Sequence, residues 1–186
     1  MVKEKACVFI SGVGSNLKSI IYNSRESNFP INVSLVLSNN NKAQGINHAK
    51  KFAIPFKILD GNIDKFENTA LKEISDRNIK LICLAGFMRI LSKNFIRRFK
   101  GKIINIHPSL LPRYKGLNTF KRALKNKDKF TGCTVHYVDE KLDNGRIIIK
   151  KRVNIKNDDN ESDLKKRVQL EERIVYSMAI RKIFKK

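Results

Sequence analysis

Tryptophan is absent from this chain, and cysteine, proline and glycine are scarce, with three, four and nine residues among 186. The cysteines, Cys7, Cys83 and Cys133, stand singly inside apolar runs. Their odd number and the lack of a CxxC pair exclude a disulfide framework and a Cys-based zinc site. So few prolines and glycines exclude collagen-like and low-complexity chains. No apolar run approaches the ~20 residues that span a bilayer, and the charged stretch Met1 to Cys7 is followed by no signal-peptide segment. These absences predict a soluble, cytoplasmic protein with no membrane partner. A hydrophobic content of 41% suffices for a real core, and the length fits a single domain over residues 1–186.

Acidic residues are also few, 17 against 39 Lys+Arg, which gives a net charge of +22. Such a balance raises nucleic-acid binding as a hypothesis. Against it, Lys outnumbers Arg 27 to 12, the lysines are scattered, and Asn (19) and Ile (23) are abundant too. All three abundant types have A/T-rich codons, so drift in an A/T-rich genome explains the charge. Recognition of bases and phosphates favours Arg forks. No specific nucleic-acid partner is expected, although the field would attract small anions.

Along the chain, strand and helix patterns alternate. Strands are expected at Ala6 to Ser11, Ile31 to Leu37, Pro55 to Leu59, Lys80 to Ala85 and Lys102 to Ile106. Helices are expected at Ser15 to Ser24, Ala43 to Phe52, Asp64 to Arg77, Ser92 to Phe99 and Asn118 to Lys125. This alternation predicts an α/β, doubly wound, mostly parallel sheet. From Thr131, two apolar runs joined by DEKLDNGR, with the turn signal Asn144-Gly145, predict an antiparallel addition. A last helix follows the N-cap-rich group 158–163, with Leu164, Val168, Val175 and Ala179 as its apolar stripe.

Chemistry has two natural places. The first strand–helix turn, SGVGSNL, offers backbone N–H groups to an anion at a helix N-terminus. It lacks the third glycine and the later acid of a dinucleotide fingerprint, and it is not a P-loop, so a monophosphate fits it better. The second place is Asn105-Ile106-His107-Pro108, at the C-terminal end of a sheet strand. Alternation puts Asn105 and His107 on one side there, and Asp143 in the later turn is a carboxylate that would orient the imidazole and favour its cation. His48 and His136 read as structural, with no metal-ligand spacing, and no metal site is expected. Ser109 has no recognisable base, and there is no GxSxG elbow.

Taken together, SGVGSNL, LAGFMRIL (Leu84 to Leu91), NIHPSLLPRYKG (Asn105 to Gly116), GCTVHYVDEKLDNG (Gly132 to Gly145) and RVQLEE (Arg167 to Glu172) resemble the glycinamide ribonucleotide transformylases. The likeness to these folate-dependent formyltransferases runs in order over almost the whole chain. The resemblance implies formyl transfer from 10-formyltetrahydrofolate to the amine of a ribonucleotide, through Asn105, His107 and Asp143. It implies substrate contacts at Gly14, Ser15, Asn16, Gly86, Pro108 and Glu172. Folate contacts are implied at Met88, Arg89, Ile90 and Leu91, and at Val138, Asp139, Glu140 and Asp143. On this reading residues 1–100 are a phosphate-binding half and 101–186 a catalytic and folate-binding half, acting on small molecules as a monomer or weak homodimer. A protonated His107, its pKa raised by Asp143, is expected.

The chain departs from the family pattern at Val13, at Arg146 in place of a usual proline, and at Asn118 and Phe120, where histidines are common and where a reshaped substrate rim is expected. It also stops soon after the last helix, where relatives often continue, and lower stability or altered self-association is the expected consequence. A methionyl-tRNA formyltransferase would need a C-terminal tRNA-binding barrel, and a formyltetrahydrofolate hydrolase an N-terminal regulatory domain. A basic nucleic-acid module without catalysis would show steep salt dependence and no need for Asn105, His107 or Asp143.

Overall fold

Five consecutive buried residues, Ala6 to Ile10, bury β1 (Glu4–Ile10) on both faces beyond its exposed first two residues, as their unbroken apolar run predicts. The computed structural model describes residues 2–185. After β1 come α1 (Ser15–Ser24), β2 (Ile31–Ser38), α2 (Ile46–Lys51), β3 (Phe56–Ile58), α3 (Ile63–Asp76), β4 (Leu81–Leu84), α4 (Lys93–Arg98) and β5 (Lys102–His107). Then follow α5 (Thr119–Lys125), β6 (Phe130–Tyr137), β7 (Ile147–Asn154) and α6 (Glu161–Phe184). The seven strands form one mixed sheet of order β3-β2-β1-β4-β5-β6-β7. The chain divides into two units, residues 2–104 and Asn105–Lys185.

In the first unit β1 pairs in parallel with β2 on one side and β4 on the other, with Ala6 opposite Leu81 and Phe9 opposite Leu84. Winding outward to β3 and then returning to β4 creates a switch point between the C-terminal ends of β1 and β4, where open α/β sheets bind ligands. Phe9, Phe66 and Phe87 pack edge-on or tilted with ring centroids 5.2–5.4 Å apart, and Phe95 joins them at 6.1 Å from Phe9. Buried Glu67 accepts from both the N–H (2.6 Å) and the hydroxyl (2.5 Å) of Ser92, whose hydroxyl also caps α4.

In the second unit β6 and β7 are antiparallel, and α6 packs on both. Asn160 caps α6 by accepting from Asp163 N–H (3.0 Å), and Glu161 and Asp163 supply the negative charge that a helix N-terminus favours. Leu164, Val168, Val175 and Ala179 are all buried, as their spacing predicts. Arg167 holds the start of α6 to Asp159 through two short contacts, 2.7 and 2.5 Å.

Most expected elements shift by only one or two residues, and one differs more. The helix expected over Ala43 to Phe52 narrows to Ile46–Lys51, because the backbone before it forms turns: Ala43 N–H donates to Asn40, and Gly45 N–H to Gly12. The antiparallel addition joined through DEKLDNGR is observed, with the connection running over 138–146 and Asp143 in the left-handed conformation (φ 46°). Gly145 is there because a Cβ would fall 1.8 Å from the Tyr137 carbonyl oxygen.

Candidate active site

Chain direction along β5 and β6 brings four polar side chains of the second unit together. Asn105 and His107 leave the same face of β5, two residues apart. Asn105 Nδ2 donates to His136 Nε2 (3.3 Å), while His136 Nδ1 donates to the Tyr137 carbonyl (2.8 Å). His136 thus lies against the Asn105 amide and orients it. His107 Nε2 donates to the Tyr114 carbonyl (2.8 Å), and its Nδ1 stands 3.3 Å from Asp143 Oδ2. The same Asp143 oxygen accepts from Gly116 N–H (2.8 Å), and its other oxygen lies 3.7 Å from His136 Nε2. His136, expected to be structural, is thus part of the cluster.

Both ring nitrogens of His107 face acceptors, an arrangement that only the imidazolium satisfies fully. Burial nevertheless pushes the His107 pKa below the ordinary imidazole value, outweighing the Tyr114 carbonyl and the Asp143 carboxylate, which pull it up; His136 and Arg122 add to the depression. Asp143 raises the His107 pKa as expected, but desolvation outweighs it, so the net direction is down rather than up. Burial also opposes ionisation of Asp143, but His136, the Gly116 N–H and His107 together hold its carboxyl below the usual range. The resting pair is neutral His107 beside ionised Asp143, primed to hold a proton when negative charge appears nearby.

Glu172 is buried on α6 on the side of Cys133, whose thiol is pushed up to about 12 by burial and then by Glu172 and Glu171. Val138, Asp139 and Glu140 lie at the start of the connection before Asp143, where Asp139 accepts from Lys141 N–H (2.9 Å). Leu142 is half exposed. Pro108 is half buried directly after β5. Phe120 is buried, which corrects the expectation that it shapes a rim, and Asn118 takes a left-handed conformation (φ 58°) as the N-cap of α5. Arg146 lies over the Tyr137 ring at 5.0 Å.

The first unit carries the remaining expected residues at its switch point. Gly14 caps α1 in the left-handed region (φ 78°) with no side-chain hydrogen bond, and no acidic residue stands in the helix's first turn. A Cβ at Gly14 would come 2.7 Å from Gly45 Cα and 3.5 Å from His48 Cδ2, so only glycine fits this close approach. Ser15 and Asn16 begin α1, and Val13 points outward, 66% exposed. Gly86 (φ 73°) accepts from Ser11 N–H (3.1 Å), and Ser11 Oγ accepts from Met88 N–H (2.8 Å). Asn39, oriented to satisfy its neighbours, donates to Ser11 Oγ (2.5 Å) and accepts from Arg89 Nε (3.1 Å). One network therefore ties the 11–16 turn to the 86–91 segment. Met88 and Ile90 project outward, 72% and 70% exposed, whereas Leu91 is buried.

Among the described residues no group of three or more His, Cys, Asp or Glu stands close enough to hold a metal ion, and no helix is long and apolar enough to cross a membrane.

A seven-stranded sheet with an Asn, two His and an Asp gathered at the end of one strand is the frame of a group-transfer enzyme. The sequence profile of the family described as "Formyl transferase" matches residues 4–180, and the chain belongs to that family. It is 37% identical over 183 residues to the phosphoribosylglycinamide formyltransferase of Haemophilus influenzae, covering 96% of this chain and 86% of that protein. It is 38% identical over 182 residues to the human trifunctional purine biosynthetic protein adenosine-3. The chain spans only 18% of that protein's length. The crystal structure of phosphoribosylglycinamide formyltransferase from Brucella melitensis superposes with a TM-score of 0.93 at 35% identity, covering 98% of this chain and 96% of that one.

Proposed function

We propose that this protein transfers the formyl group of 10-formyltetrahydrofolate to the amine of glycinamide ribonucleotide, a step of de novo purine biosynthesis, in the cytoplasm. The observation that carries the reading is the Asn105, His107, His136 and Asp143 cluster, in a chain whose similarity to phosphoribosylglycinamide formyltransferases extends over almost its full length. Both substrates are small molecules, and the acting species is a monomer or weak homodimer.

The folate supplies an activated formyl carbon; the protein must position the amine, bear the oxyanion and move protons. Asn105, its amide fixed by His136, directs its remaining N–H at the oxygen that becomes negative. His107 lends a second donor: as charge grows on that oxygen the imidazolium becomes favourable, with Nε2–H kept on the Tyr114 carbonyl and Asp143 balancing the charge. Nδ1, held by Asp143 at 3.3 Å against the 2.8 Å of Nε2, is the nitrogen whose N–H is shared between Asp143 and the substrate oxygen. Asp143, ionised at neutral pH, relays a proton from the attacking amine toward the departing folate nitrogen through an ordered water. No acyl-enzyme is required, and the three cysteines are buried.

Gly14, Ser15 and Asn16 take the ribonucleotide phosphate on the N–H groups opening α1, Gly86 and Pro108 adjoin the substrate, and Glu172 contacts it. Met88 to Leu91 and Val138 to Asp143 receive the pterin. The exposed apolar side chains of Met88 and Ile90 suit a flat heterocycle held by main-chain groups, while buried Leu91 contributes its main chain alone.

The test is formyl transfer to glycinamide ribonucleotide followed by absorbance, with Asp143→Asn beside the wild type and initiator methionyl-tRNA offered in parallel. Turnover with the ribonucleotide alone, lost in the variant, is expected. Turnover only with the tRNA, or with neither acceptor in a folded protein, would overturn the assignment.

A further inference from the structure

The Tyr114 backbone is in the left-handed region (φ 54°), which an L side chain adopts at a cost and keeps only when its surroundings hold it there. Its carbonyl is the one that receives His107 Nε2–H, and two residues further on Gly116 N–H meets Asp143. A single loop thus presents both main-chain groups of the site, and what fixes the loop fixes them.

What fixes it is the Tyr114 side chain. Its hydroxyl donates to Asp128 Oδ2 (2.7 Å) and accepts from Asn126 Nδ2 (2.9 Å). Two guanidinium groups lie over its ring, Arg113 at 5.2 Å and Arg122 at 5.0 Å from the centroid. Asp128 is the hub: its side chain is 11% exposed, and its other oxygen accepts from Arg113 (2.9 Å). Arg122 in turn donates to the Lys115 carbonyl (2.7 Å). On the far side of the loop Ser109 Oγ donates to the Arg113 carbonyl (2.5 Å), leaving residues 114–116 as the part that the aromatic clamp must hold.

We propose that Asp128 is a positioning residue for formyl transfer, holding strained Tyr114 so that its carbonyl stays on His107. Without Asp128 the tyrosine relaxes to an ordinary backbone conformation, its peptide rotates, and the carbonyl leaves the imidazole. The groups still facing His107 would then be Asp143 from the β6–β7 connection, His136 from β6 and Arg122 from α5. Loss of the carbonyl removes an interaction that favours the cation, so His107 titrates at lower pH. The kinetic consequence rests on the proposed formyl-transfer reaction; the titration does not.

The experiment follows the His107 imidazole by ¹⁵N NMR in the free full-length protein, for wild type, Asp128→Ala, Asp128→Asn and Tyr114→Phe. We expect a downward shift of the His107 titration in Asp128→Ala and Tyr114→Phe, and a smaller one in Asp128→Asn, which keeps an acceptor for the phenol. Where turnover is measured, kcat should fall by about tenfold to a hundredfold with KM values little changed, the size expected from a small misplacement of a reacting group. An unchanged His107 titration in Asp128→Ala, even with a lowered melting temperature, would overturn the proposal by showing that Asp128 only stabilises the fold. If Asp128→Ala does not fold, Tyr114→Phe, which lacks one oxygen, decides the matter alone. Failure of all turnover in the wild type would sink the proposed reaction and leave the titration to judge the clamp.

Discussion

Replacing Asp143 by Asn removes one charge and leaves almost everything else in place, since an amide oxygen can still accept the Gly116 N–H that the carboxylate accepts at 2.8 Å. The magnitude follows from the separation. Opposite unit charges 3.3 Å apart, the distance from His107 Nδ1 to Asp143 Oδ2, attract by ~5 kcal/mol at an effective dielectric constant of ~20. Water entering the site recovers part of this, so the imidazolium that forms as charge develops should lose ~2.7–4.1 kcal/mol, a fall in kcat/KM of about 10²–10³. The assay is steady-state formyl transfer at several pH values, with urea unfolding as a control. Asp143 has a depressed pKa in the folded protein, so it contributes stability above the unfolded carboxylate value of about 3.9 that is lost as pH falls through the folded value. The variant should thus be less stable than wild type at neutral pH, with the difference closing in acid. A rate loss under tenfold, with a pH profile superimposable on that of wild type, would refute the role given to the charge.

Three further substitutions probe the fold and its titration. Arg167→Ala leaves Asp159, whose carboxyl Arg167 holds down to about 2, without its bidentate partner. With Asp159 nearly buried and Arg167 partly exposed, the cost should lie between those of surface and buried pairs, ~2 kcal/mol, or roughly 4–8 °C in Tm; a change under 1 °C would contradict it. Ala53 ends α2 in the left-handed region (φ 52°), with Ile54 N–H on Ala49 and Ala53 N–H on Lys50, a closure that suits glycine. Ala53→Gly should therefore raise stability by ~1 kcal/mol in urea, and destabilisation would show that the strain is not there. His107→Asn should flatten the stability profile on the acid side of the unfolded imidazole value of about 6.5. A base whose folded pKa is depressed binds fewer protons when native, so the wild type loses stability as pH falls from there to the folded value. Parallel profiles for the two proteins would count against a depressed His107.

The fold was legible where burial is uniform along an element. Ala6 to Ile10 and Leu81 to Leu84 are apolar because both sheet faces are covered, and the α6 stripe is spaced for one buried face, so periodicity alone located them. It misjudged places where a distant backbone group competes with the local pattern. The turns that shorten α2 are held partly by Gly12, more than 30 residues away.

The site divides along the same line. Asn105 and His107 could be paired from alternation on one strand, and Asp143 could be nominated as a carboxylate in a turn, because side chains leave a trace in sequence. His136 left a faint one: an imidazole in a strand whose inner residues are all buried, the kind of side chain that is buried only with partners. The Tyr114 carbonyl and the Gly116 N–H left none, since every residue but proline carries both groups. The sign of the His107 shift was hidden for a related reason. Asp143 pulls the pKa up and is visible as a residue, whereas the burial that pushes it down belongs to the whole neighbourhood. A pairwise reading of charges counts the visible partner alone and so misses the net direction. The depressed pKa matters for catalysis, because burial disfavours the imidazolium while its two flanking acceptors favour it, so a further negative centre beside it, the oxyanion of the proposed reaction, shifts the balance toward the cation.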